Sequence, residues 1–150
     1  MAQSLAKVVV HVIFGTKERR PLITDQVREE LHAYLVGIAK TVDSPTILVN
    51  STIDHVHILL SLSRKYSIAD VIEELKKGSS KWIKTKSPAF RDFYWQAGYG
   101  VFSVSESNIT QVRDYIASQE AHHCKMTFQE EFREFLEKYK VAYDERYVWD

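Results

Sequence analysis

Cysteine is almost missing from this chain of 150 residues: Cys124 stands alone. An internal disulfide is therefore excluded, and a reducing cytoplasm is the expected setting. Neither sign of charge is in excess, with 20 Lys and Arg against 20 Asp and Glu. Such a molecule exerts no long-range pull on an anion, so a nucleic-acid partner would have to be met by local basic patches. No hydrophobic run is long enough to span a bilayer, and "VVVHVIF" near the start is too short and interrupted for a signal peptide. A GxxxxGK phosphate loop is absent, as is any cysteine–histidine spacing of the zinc type. Repeats and low-complexity tracts are also missing, and the three prolines, Pro21, Pro45 and Pro88, fall between structured stretches. With 45 % hydrophobic residues to build a core, we expect one soluble domain over residues 1–150.

What is present is a strong alternation of patterns. "SLAKVVVHVIFGTK" (4–17) is rich in β-branched and aromatic residues and predicts a first strand ending near Gly15. In "ITDQVREELHAYLVGIAKTV" (23–42), Val27, Leu31, Tyr34, Leu35 and Ile38 recur at helical spacing behind a Thr24 or Asp25 cap. Two strands follow, "SPTILVNST" (44–52) and "HVHILLSLS" (55–63), joined by a tight turn around Asp54. A second helix is predicted over 67–86, capped by Ser67 and Asp70, with Ile68, Val71, Ile72 and Leu75 on one side. "GYGVFSVSES" (98–107) predicts a fourth strand. Helical patterns then run through "NITQVRDYIASQEAHH" and, after a Thr127 cap, "FQEEFREFLEKYK". The order β-α-β-β-α-β followed by helices implies an α+β, ferredoxin-like split βαβ: a four-stranded antiparallel sheet with helices on one face, plus C-terminal helices.

Within "IDHVHILLSL" (53–62), His55 and His57 are two apart on a strand, so they share a face about 7 Å apart. Ile58, Leu60 and Leu62 supply the opposite, buried face. Two imidazoles side by side share a metal or are satisfied by ordinary neighbours, and the pattern leaves both open. Two ligands are too few for a tight site, so a third must come from elsewhere. The best supplier is "VRDYIASQEAHH" (112–123), where Tyr115 and Gln119 stand four apart on one helix face. A glutamine carbonyl is a hard oxygen ligand, and a phenol is a known covalent nucleophile. Only about 0.1 % of a free tyrosine is phenolate at neutral pH, so it would need a polarised electrophile such as a phosphodiester. Taken alone, Tyr115 reads more readily as a core aromatic in a stripe with Val112, Ile116 and Gln119. Adjacent His122, His123 and Cys124 diverge around a helix and fit a surface helix end better than a chelate. His11 reads as core, or as a residue behind the histidine pair.

His55-Val56-His57 on a strand, then "GVFSVSES" and "VRDYIASQ", together with the opening "VVVHVIFGTKERRPLI" and the closing "YDERYVW", resembles the single-tyrosine HUH transposases of insertion-sequence-200 type, from small bacterial insertion sequences. The resemblance covers essentially the whole chain. It implies that His55, His57 and Gln119 hold one Mg²⁺ or Mn²⁺ and that Tyr115, on a C-terminal helix, attacks the scissile phosphate of single-stranded DNA. The implied product is a 5′-phosphotyrosine link with a free 3′-hydroxyl, and rejoining reverses the step. Hairpin-bearing transposon ends are the implied substrate and a homodimer the implied assembly. Exchange of one phosphodiester for another is nearly energy-neutral, in keeping with the missing phosphate loop. A domesticated hairpin-binding or nicking protein and a metallohydrolase using the histidine pair are the alternatives.

The charge is uneven along the chain. Lys17, Arg19 and Arg20 in "TKERR", and Lys76, Lys77, Lys81, Lys84 and Lys86 with Ser79 and Ser80 in "ELKKGSSKWIKTK", are candidate phosphate contacts. Acids concentrate in "FQEEFREFLEKY" and "YDER". Trp82, Phe93, Tyr94, Trp95 and Tyr99 could stack bases, although core packing is the commoner use of such residues. Gly78 inside a helix costs nearly 1 kcal/mol relative to alanine and hints at a close backbone approach or a break.

Overall fold

The computed structural model describes residues 2–119 and 126–150. Strand β1 (Val9–Gly15) leads through a short 3-10 turn, Lys17–Arg19, to helix α1 (Asp25–Thr41). Strands β2 (Thr46–Ser51) and β3 (His55–Ser61) come next, then helix α2 (Ile68–Ile83) and strand β4 (Gly100–Val104). Helices α3 (Ile109–Ala117) and α4 (Phe128–Lys138) complete the described elements. The strands lie in the order β2-β3-β1-β4, every neighbouring pair antiparallel. This is the expected ferredoxin-like sheet.

Strand parity divides the molecule into layers. Val10, Val12 and Phe14 of β1 and Val56, Ile58 and Leu60 of β3 point one way, onto Val27, Leu31, Leu35 and Ala39 of α1 and Val71, Ile72 and Leu75 of α2. The other parity carries Val9, His11 and Ile13 with His55, His57 and Leu59. Its apolar members meet Ile116 of α3 in one cluster and Phe128, Phe132 and Leu136 of α4 in another. The sheet is thus covered on both faces, and the histidine pair lies on the side roofed by α3 and α4.

Several elements depart from the sequence pattern. The first strand begins at Val9 rather than residue 4, because residues 2–8 are exposed and have no core to join. Tyr34 and Ile68 stand at helical spacing but are surface residues; Tyr34 stacks on Trp82 with ring centroids 5.0 Å apart. Helix α2 runs unbroken through Gly78, where an added Cβ would come within 2.7 Å of Ile38 Cδ1. The glycine therefore marks the close approach of α1 and α2. Phe93 and Trp95 are core residues, whereas Tyr94 and Tyr99 are exposed. The Ser67 and Thr127 caps form as expected, each side-chain oxygen accepting from the backbone three residues on. Helix α3 ends at Ala117 with Ser118 as its C-cap, so Gln119 lies beyond it rather than one turn further along the same helix. His122, His123 and Cys124 lie outside the described residues.

No helix among the described residues is long and apolar enough to cross a membrane.

Candidate active site

His55 and His57 are fully buried on the α3–α4 side of the sheet. Each imidazole is held by one nitrogen so that the other faces a common point. His55 Nδ1 lies 2.7 Å from Asp54 Oδ1 and 2.8 Å from Thr52 Oγ1. His57 Nδ1 lies 2.8 Å from Nε2 of His11, which β1 presents on the same face. The two Nε2 atoms converge on Glu131 Oε1, at 3.4 Å from His55 and 2.9 Å from His57. Second partners of this kind fix the orientation of metal-binding histidines. Ring packing adds to it: Phe128 stacks on His55 with centroids 4.2 Å apart, and Phe135 meets His11 edge-on.

Tyr115 arrives from α3. Its hydroxyl donates to Glu131 Oε2, and its ring centre is 6.2 Å from that of His57. Asn50 on β2 anchors this helix by donating to the Ile116 carbonyl over 2.7 Å, while its own oxygen accepts from Arg28. Gln119 is buried, and its Nε2 donates to the Tyr115 carbonyl over 3.3 Å.

Electrostatics follow from burial and these contacts. Burial raises the Tyr115 phenol above its ordinary value, the hydrogen bond and charge of Glu131 raise it further, and a hydrogen bond from Gln119 opposes them. The phenol is neutral at rest. Burial, helped by the charge of His57, holds His11 well below the usual imidazole range. A neutral His11 can donate to or accept from His57 Nδ1, so it accommodates either tautomer of that ring. Burial opposes charge on His55, but hydrogen bonds to Asp54 and Glu131 outweigh it and raise its pKa.

One ligand atom from each of His55, His57 and Glu131 lies within 4.8 Å of the others. Two oriented imidazoles and a carboxylate make a fitting donor set for a divalent cation. Glu131 was absent from the sequence-based candidates, which took Gln119 as the third donor. The signal was present all the same: Glu131 falls in the stripe of Phe128, Phe132 and Phe135, where a lone acid needs a buried partner. His11 gave a weaker signal, its shared strand parity with the pair, and Asn50 gave none.

The candidate phosphate contacts divide. Lys17, Arg19, Arg20, Lys77 and Lys81 are exposed. Glu18 and Arg19 adopt left-handed φ of 58° and 54°, which turns the basic loop outward beside Tyr94 and Trp149 along one cleft. Lys84 covers the Tyr94 ring at 4.3 Å. Lys76 and Ser79 are engaged within the fold instead. The Lys76 ammonium donates to the carbonyls of Gln96, Ala97 and Gly98 at 2.7–3.0 Å. Ser79 is fully buried, donating to Leu75 and accepting from the Trp95 indole. Ser80 is partly buried and bonded within the fold to Phe93 and Lys84.

Residues 4–119 match the family model described as "Transposase IS200 like". The ISDra2 transposase TnpA of Deinococcus radiodurans is 29 % identical over 114 residues, covering 73 % of this chain and 81 % of that protein. A crystal structure from D. radiodurans R1, described as that of a transposase, superposes with a TM-score of 0.62 at 28 % identity, over 79 % of this chain and 98 % of that one. A REP-associated tyrosine transposase bound to a REP hairpin shares the fold, with a TM-score of 0.60 at 16 % identity over 82 % and 73 % of the two chains. On the strength of the match over residues 4–119, this chain belongs to the IS200-like transposase family.

Proposed function

We propose that the protein cuts and rejoins single-stranded DNA at hairpin-bearing transposon ends, through a 5′-phosphotyrosine on Tyr115. The observation that carries this reading is the meeting of the Tyr115 hydroxyl and the two imidazoles on one buried carboxylate, Glu131. In the cutting step the phenolic oxygen bonds to phosphorus and the bond to the 3′-oxygen breaks. The proton leaving the phenol ends on that 3′-oxygen, and Glu131, already hydrogen-bonded to the phenol, is placed to take it up first. Rejoining runs the same exchange backward with a different 3′-hydroxyl.

His55, His57 and Glu131 would hold Mg²⁺ or Mn²⁺, with Gln119 beside the same tyrosine. Imidazole ligands suit Mn²⁺ better than Mg²⁺. When bound, the ion supplies Lewis-acid stabilisation of charge on the phosphate oxygens. Asp54 and His11 orient the imidazoles. One tyrosine can retain one covalent end, so two transposon ends call for two copies of the chain, and we take the working unit to be a homodimer. The exposed Lys17, Arg19, Arg20, Lys77 and Lys81 would contact phosphates. The hairpin bound by the REP-associated transposase of the same fold supports the substrate class.

The test is a denaturing gel after incubation of the protein with a labelled hairpin-bearing single strand and Mn²⁺. A denaturant-resistant adduct is expected. Tyr115→Phe should abolish it while hairpin binding persists. Cleavage by the wild type without adduct, or an adduct surviving in Tyr115→Phe, would refute the nucleophile assignment.

A further inference from the structure

Beside Tyr115 a cavity of about 290 Å³ opens to solvent between β4, the start of α3 and the outer face of α4. It is at the small end of the range for ligand pockets, which begins at about 300 Å³. Tyr115 and His11 both reach its wall, so it adjoins the tyrosine that must meet the DNA. Two partly buried aromatic rings, Phe135 and Tyr139, and Val112 give it flat apolar surface. Asn108 and Gln111 line the mouth with carboxamides. Asn108 occupies the N-cap position of α3 but makes no side-chain capping bond. Its backbone is that of the 3-10 turn Glu106–Asn108 rather than of a capping residue, so its carboxamide is left exposed at the cavity mouth. Glu134 and Lys138 carry opposite charges on the α4 wall. Their cancellation makes the cavity a poor seat for a phosphate and a fair one for a neutral heteroaromatic ring.

The geometry points to a pocket for one unpaired nucleobase, that of a nucleotide flanking the phosphate that Tyr115 attacks. This rests on the proposed single-strand cleavage and adds to it a base-reading subsite. Enzymes acting on unpaired nucleotides commonly combine an aromatic stacking wall with polar groups on the base edge. Glu134, Phe135 and Lys138 of the wall come from α4, which lies beyond the family-matched segment 4–119. The subsite is thus built jointly from the matched segment and the C-terminal helix.

The experiment uses the full chain and hairpin oligonucleotides carrying 2-aminopurine, scanned one position at a time along the single-stranded flank, with no metal added. Fluorescence should change at one position. An abasic residue there should weaken binding about tenfold, the low end of what stacking of one base contributes. The exposed double variant Asn108→Ala/Gln111→Ala should lose the position-specific signal and no longer distinguish abasic from intact DNA. A signal absent at every position, or unchanged in the double variant, would overturn the pocket. A position-specific signal in a protein that forms no covalent adduct would support the pocket while refuting the cleavage reading. An adduct formed with full tolerance of abasic flanks would do the reverse.

Discussion

Glu131→Gln separates the two possible oxygen donors at the histidine pair. Glu131 is 1 % exposed and contacts Nε2 of His55, Nε2 of His57 and the Tyr115 hydroxyl. Hydrogen bonds to charged groups contribute about 1.5–3 kcal/mol each, and neutral ones about 0.5–1.5. A carboxamide keeps the shape and loses the charge, so we expect a loss of about 1–3 kcal/mol. Glu131→Ala leaves two imidazoles and a phenol facing a void, and the expected loss is about 3–5 kcal/mol. At about 2–4 °C per kcal/mol for a chain of this size, melting temperature should fall by about 2–12 °C for Gln and about 6–20 °C for Ala. The decisive measurement is the melt with and without Mn²⁺. An ion at one hundred times its dissociation constant stabilises the wild type by about 2.7 kcal/mol, or about 5–11 °C. Glu131→Gln should lose most of this response, and Gln119→Leu should keep it. If Mn²⁺ protects Glu131→Gln as well as the wild type while Gln119→Leu loses the effect, the carboxylate is not a donor and the reasoning from Nε2 convergence is wrong.

Four further outcomes follow from particular residues. An added Cβ at Gly100 would come within 2.6 Å of Phe132 Cε2, so Gly100→Ala should cost about 1–3 kcal/mol in urea melts by pushing α4 outward. At Gly78 the helix-propensity gain of about 1 kcal/mol offsets a clash with the movable Ile38 tip, so Gly78→Ala should be nearly neutral. Burial and the nearby Arg28 lower His32 to about 4. Between pH 6.5 and 4 the unfolded chain then binds more protons, so this contribution is complete above 6.5 and lost as pH falls toward 4. The full shift corresponds to about 3 kcal/mol, reduced to about 1–2 by partial exposure. His32→Gln should flatten that limb of a stability–pH curve. Replacing Lys17, Arg19 and Arg20 with alanine should lower the slope of log affinity against log salt by about 2 on single-stranded DNA; an unchanged slope would remove this loop from the DNA path.

The central sheet and α1–α2 were legible because their signals are local and mutually consistent. Period-2 and period-3.6 patterns, a Ser67 cap and a Thr127 cap each pointed to the element that formed. Boundaries were not legible to the same degree. Residues 4–8 carry strand-compatible side chains, yet pairing requires a neighbour, and β3 and β4 end at Ser61 and Val104 opposite Val9. Lys76 looked like part of a basic stripe because sequence shows charge but not the three carbonyls that the Gln96–Gly98 loop brings to it.

The second layer over the histidine face is where pattern reading stopped short. "FQEEFREFLEKY" reads as a helix in which acids concentrate. Burial needs more than mean hydropathy: Phe128, Phe132, Phe135 and Leu136 form a stripe, and Glu131 stands three residues after the first of them and four before Phe135. A carboxylate there must find donors inside, while two imidazoles on a doubly covered strand must find acceptors. Gly15 and Gly100 lack the Cβ atoms that would hold Phe128 and Phe132 off the sheet, so the helix can come close enough for each need to meet the other. The unmatched polar groups of β3 and α4 were each puzzling alone, and together they specify a contact between distant parts of the chain. Because α4 lies beyond residue 119, similarity to the family over 4–119 could point to the imidazoles and the tyrosine but not to the carboxylate on which they converge.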